Sequence, residues 1–434
     1  MSEKILRKIE KLIPKKIYKL GQPIYHFLLA ILGAVLYRFP AKDMIVIGVT
    51  GTKGKTSTAN FIHAVLSETG KKAGLISTAN IKIGERDIPN KYHMSMPGRF
   101  ILQKILRQMK DAGCKYIALE VTSEGIKQFR HLGLFLDVAV FTNLSPEHLA
   151  SHGGSFEKYR ETKMKIFKRS FFNKIKLVLI NKDDNDAKYF IEASGHIEKV
   201  LFSLEDVSQV EENEDGVNFV LKNSEFKLKT LGKFNIYNAL PAIILGERYG
   251  LEFNSIKNGL AKLNLIPGRM EEIREGQNFK VIVDYAHEKL SMNSLLDTAR
   301  NLKVGEDNKI IIVVGGDGGG RDEQRLYDMG KVVGEKADIV IVSNSDPYFD
   351  DEMALAQKIA GEADKAGKVY NENLFIIIDR GEAIKKAVEL AKDGDIVLLA
   401  TRGSLNTMSI RGEKVSSDDR VIAREVLKNL LNKN

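Results

Sequence analysis

The sequence has a single cysteine, Cys114, and proline supplies only 9 of its 434 residues. One thiol can neither close an intramolecular disulfide nor build a cysteine-based zinc or iron–sulfur centre, so the chain suits a reducing compartment such as the cytoplasm. Sparse proline excludes collagen, and 43% hydrophobic against 28% charged residues excludes disorder and coiled coil. The apolar run from Ile24 to Tyr37 is shorter than the ~20 residues needed to span a bilayer. What remains is a globular protein long enough for two or three domains, each with its own core.

Positive charge is plentiful but unevenly placed. Residues 1–40 hold eight cations (Lys4, Arg7, Lys8, Lys11, Lys15, Lys16, Lys19 and Arg38) against two anions, Glu3 and Glu10; this is +6 of the total of +9. The excess is one basic segment rather than a nucleic-acid-binding face, so no nucleic-acid partner is expected. The segment and its apolar run read as a helical hairpin docked on the next domain. A helix lying on the inner face of the plasma membrane, as a peripheral contact through residues 1–40, is the alternative.

From Met44 onward, short apolar runs alternate with helical stretches, the pattern of strands buried on both faces of a parallel sheet. Strands are expected at Met44–Thr50, Tyr116–Val121, Asp137–Thr142 and Leu177–Ile180, with a helix over Ser57–Thr69 ended by Gly70. Between Val217 and Thr230 the period becomes two, which reads as an antiparallel hairpin at the sheet edge turning at Asn223-Ser224. After Pro267-Gly268 a second set follows at Lys280–Asp284, Lys309–Val314, Asp338–Val342, Leu374–Ile378 and Asp395–Ala400. The expected architecture is therefore α/β: a short helical N-terminal segment (1–43), a central P-loop domain with a mostly parallel sheet (44–267), and a C-terminal Rossmann-like domain (268–434). Sites in such sheets collect at the carboxyl ends of strands, here at a cleft between the two domains.

The strongest local signal is Thr50-Gly51-Thr52-Lys53-Gly54-Lys55-Thr56-Ser57, directly after a strand and opening a helix. Glycines let backbone N–H groups reach phosphate oxygens, the helix N-terminus favours their charge, Lys55 can reach the β- and γ-phosphates, and the Thr56 hydroxyl can ligate Mg²⁺. Use of ATP or GTP follows. Glu120 ends the next strong strand, where a carboxylate can hold Mg²⁺, although an isolated acidic strand end is as readily a solvated loop residue. Phe141-Thr-Asn-Leu-Ser-Pro-Glu-His148 is a further strand running into a polar loop, with a histidine that is ligand or structural.

Together these segments resemble the Mur ligases, ATP-dependent amide-forming enzymes, and most closely their muramoyl-tripeptide synthetase (MurE-like) branch, from about residue 44 to the C-terminus. The phosphate loop matches with Lys53 where Asn is usual. Glu120-Val-Thr-Ser-Glu-Gly-Ile-Lys-Gln-Phe-Arg130 resembles the branch's Glu-Val-Ser-Ser-His-Gly-Leu segment, with Glu124 in place of the histidine. The resemblance implies ATP with two Mg²⁺ ions, one on Thr56 and Glu120, the other on His148 and a carbamoylated Lys163. By sequence alone Lys163 is a surface lysine. It further implies adenine contacts from the loop holding Asn235 and Asn238, a phosphate contact from Arg269, and ribose and base contacts from Asp284 and His287. Ser95, Ser123, Gln128 and Arg130 correspond to acceptor contacts, and Arg321, Asp346 and Tyr348 to the amino-acid site. The implied chemistry is phosphorylation of a substrate carboxylate by ATP, then attack of an amine on the acyl phosphate, in peptidoglycan precursor synthesis. The expected partners are ATP, a muramoyl-peptide precursor and an amino acid, handled by a monomer.

The chain departs from the family in two places. Some 43 residues precede the first strand, too few for the usual N-terminal domain that grips uridine nucleotide, so the acceptor carries either UDP or a lipid. The diaminopimelate-selecting Asp-Asn-Pro-Arg is replaced by Ser345-Asp346-Pro347-Tyr348, followed by Asp350 and Asp351. That stretch offers no arginine, and its acidity favours L-lysine or another diamino acid over meso-diaminopimelate; alternatively Asp350 and Asp351 simply start a helix. Gly315–Arg325 does not fit a dinucleotide fingerprint; Arg321 is its expected contact and Arg325 its structural arginine. His63, His131 and His196 belong to no motif. Competing functions are a folylpolyglutamate- or poly-amino-acid-type ligase, an amidating subunit with a glutaminase partner, and a silent binding module. The amidating subunits carry a cysteine-rich insertion that one cysteine cannot form, and a silent module should have lost Lys55, Glu120, His148 or Lys163.

Overall fold

The protein is described by a computed structural model covering residues 15–92, 94–147 and 149–432, with side chains from residue 21. The chain divides into two compact units. The first holds the described part of Met1–Glu147 with Ser151–Ser203 and Leu240–Leu251; the second holds Leu149, Ala150, Leu204–Ala239 and the described part of Glu252–Asn434.

The first unit opens with α1 (Lys15–Leu36), followed by β1 (Ile45–Thr50), α2 (Lys55–Ser67), β2 (Ala73–Ile76), β3 (Asn80–Ile83) and β4 (Arg86–Pro89). It continues with α3 (Arg99–Asp111), β5 (Tyr116–Glu120), α4 (Ser123–Lys127), β6 (Val138–Phe141), α5 (Phe156–Met164), β7 (Leu177–Asn181), α6 (Ala187–Ala193) and β8 (Glu198–Phe202). The strands form one sheet in the order β4-β3-β2-β5-β1-β6-β7-β8. β1, β5, β6 and β7 are continuous apolar runs because both of their faces are covered, and alternation has no place there. β1 lies between β5 and β6, pairing Val49 with Glu120 and Thr50 with Phe141. Three strand ends, and the loops that follow them, thus emerge side by side.

The second unit contains β9 (Val207–Asn213), β10 (Gly216–Leu221) and β11 (Ser224–Leu228), the start of α7 (Asn235–Arg248), α8 (Phe253–Lys262), β12 (Glu271–Ile273) and β13 (Lys280–Val283). Then come α9 (Lys289–Leu302), β14 (Ile310–Asp317), α10 (Gln324–Lys336), β15 (Ile339–Asp346), α11 (Glu352–Lys365), β16 (Leu374–Ile376) and α12 (Arg380–Leu390). It ends with β17 (Ile396–Leu399), β18 (Thr407–Ile410), β19 (Glu413–Ser416) and α13 (Asp419–Leu431). Its main sheet, β12-β13-β17-β14-β15-β16, is parallel except for β12, and apolar clusters fill both of its faces.

Two local expectations are corrected. The hairpin at 217–230 is not an edge of the parallel sheet, because β9 pairs with β10 to make a separate three-stranded antiparallel sheet. Its turn residues are Lys222 and Asn223, both at positive φ (49° and 60°), one residue earlier than the periodicity indicates. The phosphate-loop helix starts at Lys55 rather than Ser57. Before β1 the described residues hold α1 and a 3-10 turn at Pro40–Asp43, and residues 1–14 of the expected hairpin lie outside the described residues; α1 packs on α3, Ala30 and Ala34 are buried, and Gly33 lies close enough for a Cβ to sit 3.5 Å from the Arg99 carbonyl oxygen.

Candidate active site

In the first unit the site grows from the end of β1. Gly51 has φ 152°, and a Cβ there would lie 2.0 Å from Thr142 Oγ1, so only glycine fits. The neighbouring loop after β6 braces the phosphate loop: the Thr52 and Lys53 amides donate to the Asn143 carbonyl and side-chain oxygens, both at 2.8 Å, while Thr142 Oγ1 donates to the Lys53 carbonyl at 2.7 Å. α2 begins behind Gly54 (φ 80°) without a side-chain cap, leaving its N-terminal amides for a ligand. Lys55 Nζ folds back onto the Gly51 and Thr52 carbonyls at 3.1 and 2.7 Å. Lys53 pairs with Glu147 at 3.1 Å, and Thr56 and Ser57 are buried.

Glu120 is wholly buried, and Thr78 holds both its oxygens: the Thr78 amide donates to Oε1 and the Thr78 hydroxyl to Oε2, each at 2.8 Å. The Thr78 hydroxyl also meets that of Ser95. Thr78, which no motif in the sequence flags, therefore ties the strand-end carboxylate to a candidate acceptor residue.

Lys163 is not a surface lysine. It is 2% exposed, its Nζ lies 4.7 Å from the centre of the Tyr159 ring, and it donates to the Gly51 carbonyl at 2.7 Å. Burial, and then the charge of Lys55, hold this amine well below the usual lysine range, with Glu147 pulling weakly the other way. A buried lysine kept neutral is a nucleophile. His148 lies outside the described residues. Among those described, no three His, Cys, Asp or Glu side chains form a metal-binding group. The donor chemistry nonetheless fits a hard cation: a buried carboxylate at Glu120, a hydroxyl at Thr56, and at Lys163 an amine that carbamoylation converts to an oxygen anion.

The remaining acceptor candidates gather beside α4. Arg130 Nη2 donates to Gln128 Oε1 at 2.7 Å and its Nη1 to the Met96 carbonyl, while Gln128 Nε2 donates to Glu124 Oε1 at 2.7 Å. Glu124 Oε2 is buried with no hydrogen-bond partner among the described residues. Ser123 Oγ meets His152 Nε2 at 3.1 Å, and the His152 ring stands edge-on to Tyr159, 5.2 Å between centres. Tyr159 in turn shares a hydrogen bond with Thr52 at 3.2 Å. His152 also went unmarked in the sequence; its one legible signal was its distance of a single helical turn from His148.

In the second unit Asn235 Nδ2 donates to the Leu231 carbonyl and Asn238 Nδ2 to Asn235 Oδ1, at 2.7 and 2.8 Å, stiffening the start of α7. Arg269 stacks on Tyr285 with its guanidinium 4.6 Å from the ring centre, and Asp284 accepts from the Met270 and Ala286 amides at 2.8 and 2.7 Å. His287 Nδ1 meets the Tyr285 carbonyl at 2.6 Å. Asp317 is bracketed by Arg321 at 3.5 Å and Arg325 at 3.8 Å; these charges outweigh its burial and hold it below the usual carboxylate range. Arg325 also lies 3.8 Å from the buried Glu288, and Arg321 covers Tyr348, 5.1 Å from its ring centre. Burial pushes Asp346 up, although it accepts from the Ser409 amide at 2.7 Å.

Asp351 caps α11 by accepting from the Ala354 amide, and Asp350 accepts from the Gly319 amide, both at 2.7 Å. Both carboxylates therefore have structural work. They also line, with Phe349, Glu352, Met353 and Ile378, a concavity of about 460 Å³ whose wall includes Arg411. An arginine, absent from Asp346–Tyr348, thus lines this concavity from the β18–β19 turn. Arg402, just after β17, is fully buried and donates to the Ser345, Thr407 and Ser417 carbonyls.

Comparison with known proteins agrees with this geometry. Residues 49–246 match the Mur ligase middle domain and residues 268–403 the Mur ligase glutamate ligase domain. The chain is 35% identical over 413 residues to a UDP-N-acetylmuramoyl-L-alanyl-D-glutamate–2,6-diaminopimelate ligase of Geobacillus kaustophilus, covering 92% of this chain and 82% of that protein. It is 34% identical over 419 residues to a UDP-N-acetylmuramyl-tripeptide synthetase of Treponema denticola, covering 91% and 78%. A solved UDP-N-acetylmuramoyl-L-alanyl-D-glutamate–2,6-diaminopimelate ligase superposes with TM-score 0.60 at 28% identity over 90% of this chain and 79% of that one. Mycobacterium tuberculosis folylpolyglutamate synthase with ADP shares the fold, TM-score 0.70 at 16% identity, over 94% and 95%. With both Mur ligase domains matched in order on a phosphate loop that the neighbouring strand braces, the chain belongs to the Mur ligases, a family of ATP-dependent acid–amino-acid ligases.

Proposed function

We propose that this ligase adds a diamino acid to a UDP-N-acetylmuramoyl-dipeptide-like acceptor in peptidoglycan precursor synthesis, with residues 44–267 binding ATP and residues 268–434 forming the ligase domain. The observation that carries the reading is the grouping of Lys55, Thr56, Glu120 and a buried Lys163 around one braced loop, in a chain similar over 92% of its length to a muramoyl-dipeptide ligase.

An acceptor carboxylate oxygen attacks the γ-phosphorus of ATP and ADP leaves; the amine nitrogen then attacks the acyl carbon, the acyl–oxygen bond breaks and inorganic phosphate departs. Gly51, Thr52, Lys53, Gly54 and Ser57 line the phosphates, and Lys55 moves from its carbonyl partners to neutralise the γ-phosphate. Arg269 is a further phosphate cation from its own unit; Asn235, Asn238, Asp284 and His287 hold the nucleoside. Two Mg²⁺ ions, when bound, would neutralise charge on the transferring phosphoryl group. Thr56 and Glu120 would hold one, and His148 with carbamoylated Lys163 the other. Ser95, Ser123, Gln128 and Arg130 orient the acceptor, with Thr78 and His152 fixing Ser95 and Ser123.

For the amino acid, Asp346, Tyr348 and Arg321 form one wall. The acidic concavity beside them suits a side-chain ammonium and favours L-lysine, while Arg411 gives meso-diaminopimelate a carboxylate partner. The enzyme works in the cytoplasm as a monomer, with residues 1–40 as its contact with the inner face of the plasma membrane.

The test is amino-acid-dependent release of phosphate from ATP with UDP-N-acetylmuramoyl-L-Ala-D-Glu, screening L-lysine, meso-diaminopimelate and other amino acids with mass detection of product. Turnover with one of them is the expected result and identifies the selector. No turnover with any, from protein that still binds ATP, would overturn the soluble-nucleotide acceptor.

A further inference from the structure

Of the apolar surface outside the site, one stripe is large and continuous. Ile24, Tyr25, Leu28, Leu32, Val35 and Leu36 are each 51–63% exposed, although they belong to a helix whose opposite side, at Ala30 and Ala34, is buried. At 100° per residue these six positions cover roughly 120° of the helix surface. The small residues are spent on the protein side of α1 and the large ones face outward, the reverse of a helix recruited only to finish a core. No described helix is long and apolar enough to cross a membrane. Immediately before the stripe, Lys4, Arg7, Lys8, Lys11, Lys15, Lys16 and Lys19 stand in sequence against Glu3 and Glu10.

The same helix is joined to the candidate acceptor residues. His26 meets the Arg99 guanidinium, and Phe27 packs edge-on against Phe129, 5.7 Å between centres. Arg99 Nε donates to the Gln128 carbonyl at 3.2 Å, and Arg130 reaches the Met96 carbonyl. A surface that carried α1 would therefore also carry Gln128, Arg130 and the loop 95–97.

We propose that the outward apolar face of α1 lies on an anionic lipid bilayer surface and keeps the acceptor-binding groups beside it at that surface. The apolar stripe enters the headgroup boundary while the preceding cations meet anionic lipid. A second copy of the chain fits less well, since pairing two such helices would bring two +6 segments together. The position given to the acceptor groups rests on the function proposed above; the docking itself does not.

The test is co-sedimentation of the full-length protein with vesicles of phosphatidylglycerol and phosphatidylcholine, and of phosphatidylcholine alone, beside turnover on the soluble acceptor. Expected are at least about tenfold stronger binding to the anionic vesicles, weakening in 0.5 M salt, and about tenfold loss in a Leu28→Glu/Leu32→Glu variant with unchanged soluble turnover. Leu28→Ser/Leu32→Ser serves the same purpose should the glutamates unfold the helix. Failure of the wild type to bind anionic vesicles overturns the proposal, as does equal binding by wild type and both variants. So does a dimer, seen by light scattering, that the same variants abolish in protein that ignores vesicles. Vesicle binding without soluble turnover leaves the docking standing and counts against the acceptor instead.

Discussion

Replacing Lys163 by methionine should make this protein more stable and inactive at once. The amine is 2% exposed, no carboxylate among the described residues is hydrogen-bonded to it, and its hydrogen bond there runs to the Gly51 carbonyl at 2.7 Å. A group whose folded pKa is depressed adds stability above its unfolded value, near 10.5 for lysine, and that stability is lost as pH falls through the folded value. Below that unfolded value the wild type therefore bears the cost of an amine buried away from water. Methionine keeps the length and apolar bulk without that cost, and replacing a buried ionisable group with a hydrophobe of similar volume stabilises by about 1–4 kcal/mol. Deducting about 1 kcal/mol for the lost hydrogen bond leaves a net gain of about 0–3 kcal/mol, or up to roughly 10 °C in a domain of this size. The assay is thermal unfolding of both proteins in carbon-dioxide-stripped and bicarbonate-equilibrated buffer, beside ligase turnover. Lys163→Met should melt higher in stripped buffer, bicarbonate should change only the wild type, and turnover should vanish in the variant. A variant that melts several degrees lower in stripped buffer would refute the reasoning, because Lys163 would then be holding the loop rather than straining it.

Gly51→Ala places a methyl group 2.0 Å from Thr142 Oγ1 at φ 152°, so ATP affinity measured by calorimetry should fall at least about a hundredfold, with the far-ultraviolet circular dichroism unchanged. His63 is held at about 4, by burial first and then by Lys82. Its unfolded form takes up a proton near pH 6.5 and its folded form does not, so stability should drop by about 1.4 kcal/mol per pH unit between 6.5 and 4; His63→Leu should flatten the fall in urea midpoint over that window. Asp419, wholly buried, pairs with Arg380 at 2.6 Å and lies 3.7 Å from Arg402. Asp419→Asn leaves two buried guanidiniums without their counter-ion and should cost about 3–5 kcal/mol in denaturant unfolding, whereas a change below 1 kcal/mol would mean that water reaches the pair.

Much of the fold was legible because parallel strands write themselves as unbroken apolar runs. All nine strands expected at such runs are present, with no end displaced by more than four residues. Eight strands escaped notice: β2, a short apolar run opening Ala-Gly, and β3, β4, β8, β9, β12, β18 and β19, which carry polar or charged side chains, as Arg86-Asp-Ile-Pro and Glu413-Lys-Val-Ser show. Pairing with a neighbour, not composition, makes them strands. The phosphate loop was legible as a contiguous motif with a mechanism attached to each residue. Thr78 and Arg411 were not, since each matters through a contact more than 40 residues away in sequence: Thr78 to Glu120, and Arg411 to the walls at Phe349–Met353. Lys163 was legible by resemblance alone, because nothing in Tyr-Arg-Glu-Thr-Lys reveals that its lysine points inward.

The ammonium of Lys55, resting on the Gly51 and Thr52 carbonyls, has a consequence for the end of the catalytic cycle. A cradle whose cation has no partner of its own grips any phosphate it meets and pays for that grip when the product must leave. In the role proposed for Lys55, a phosphate must win the ammonium from two backbone oxygens, and on its release the loop can remake those bonds. Part of the binding free energy of the nucleotide would then go into breaking the loop's own contacts, which trades affinity for ease of release.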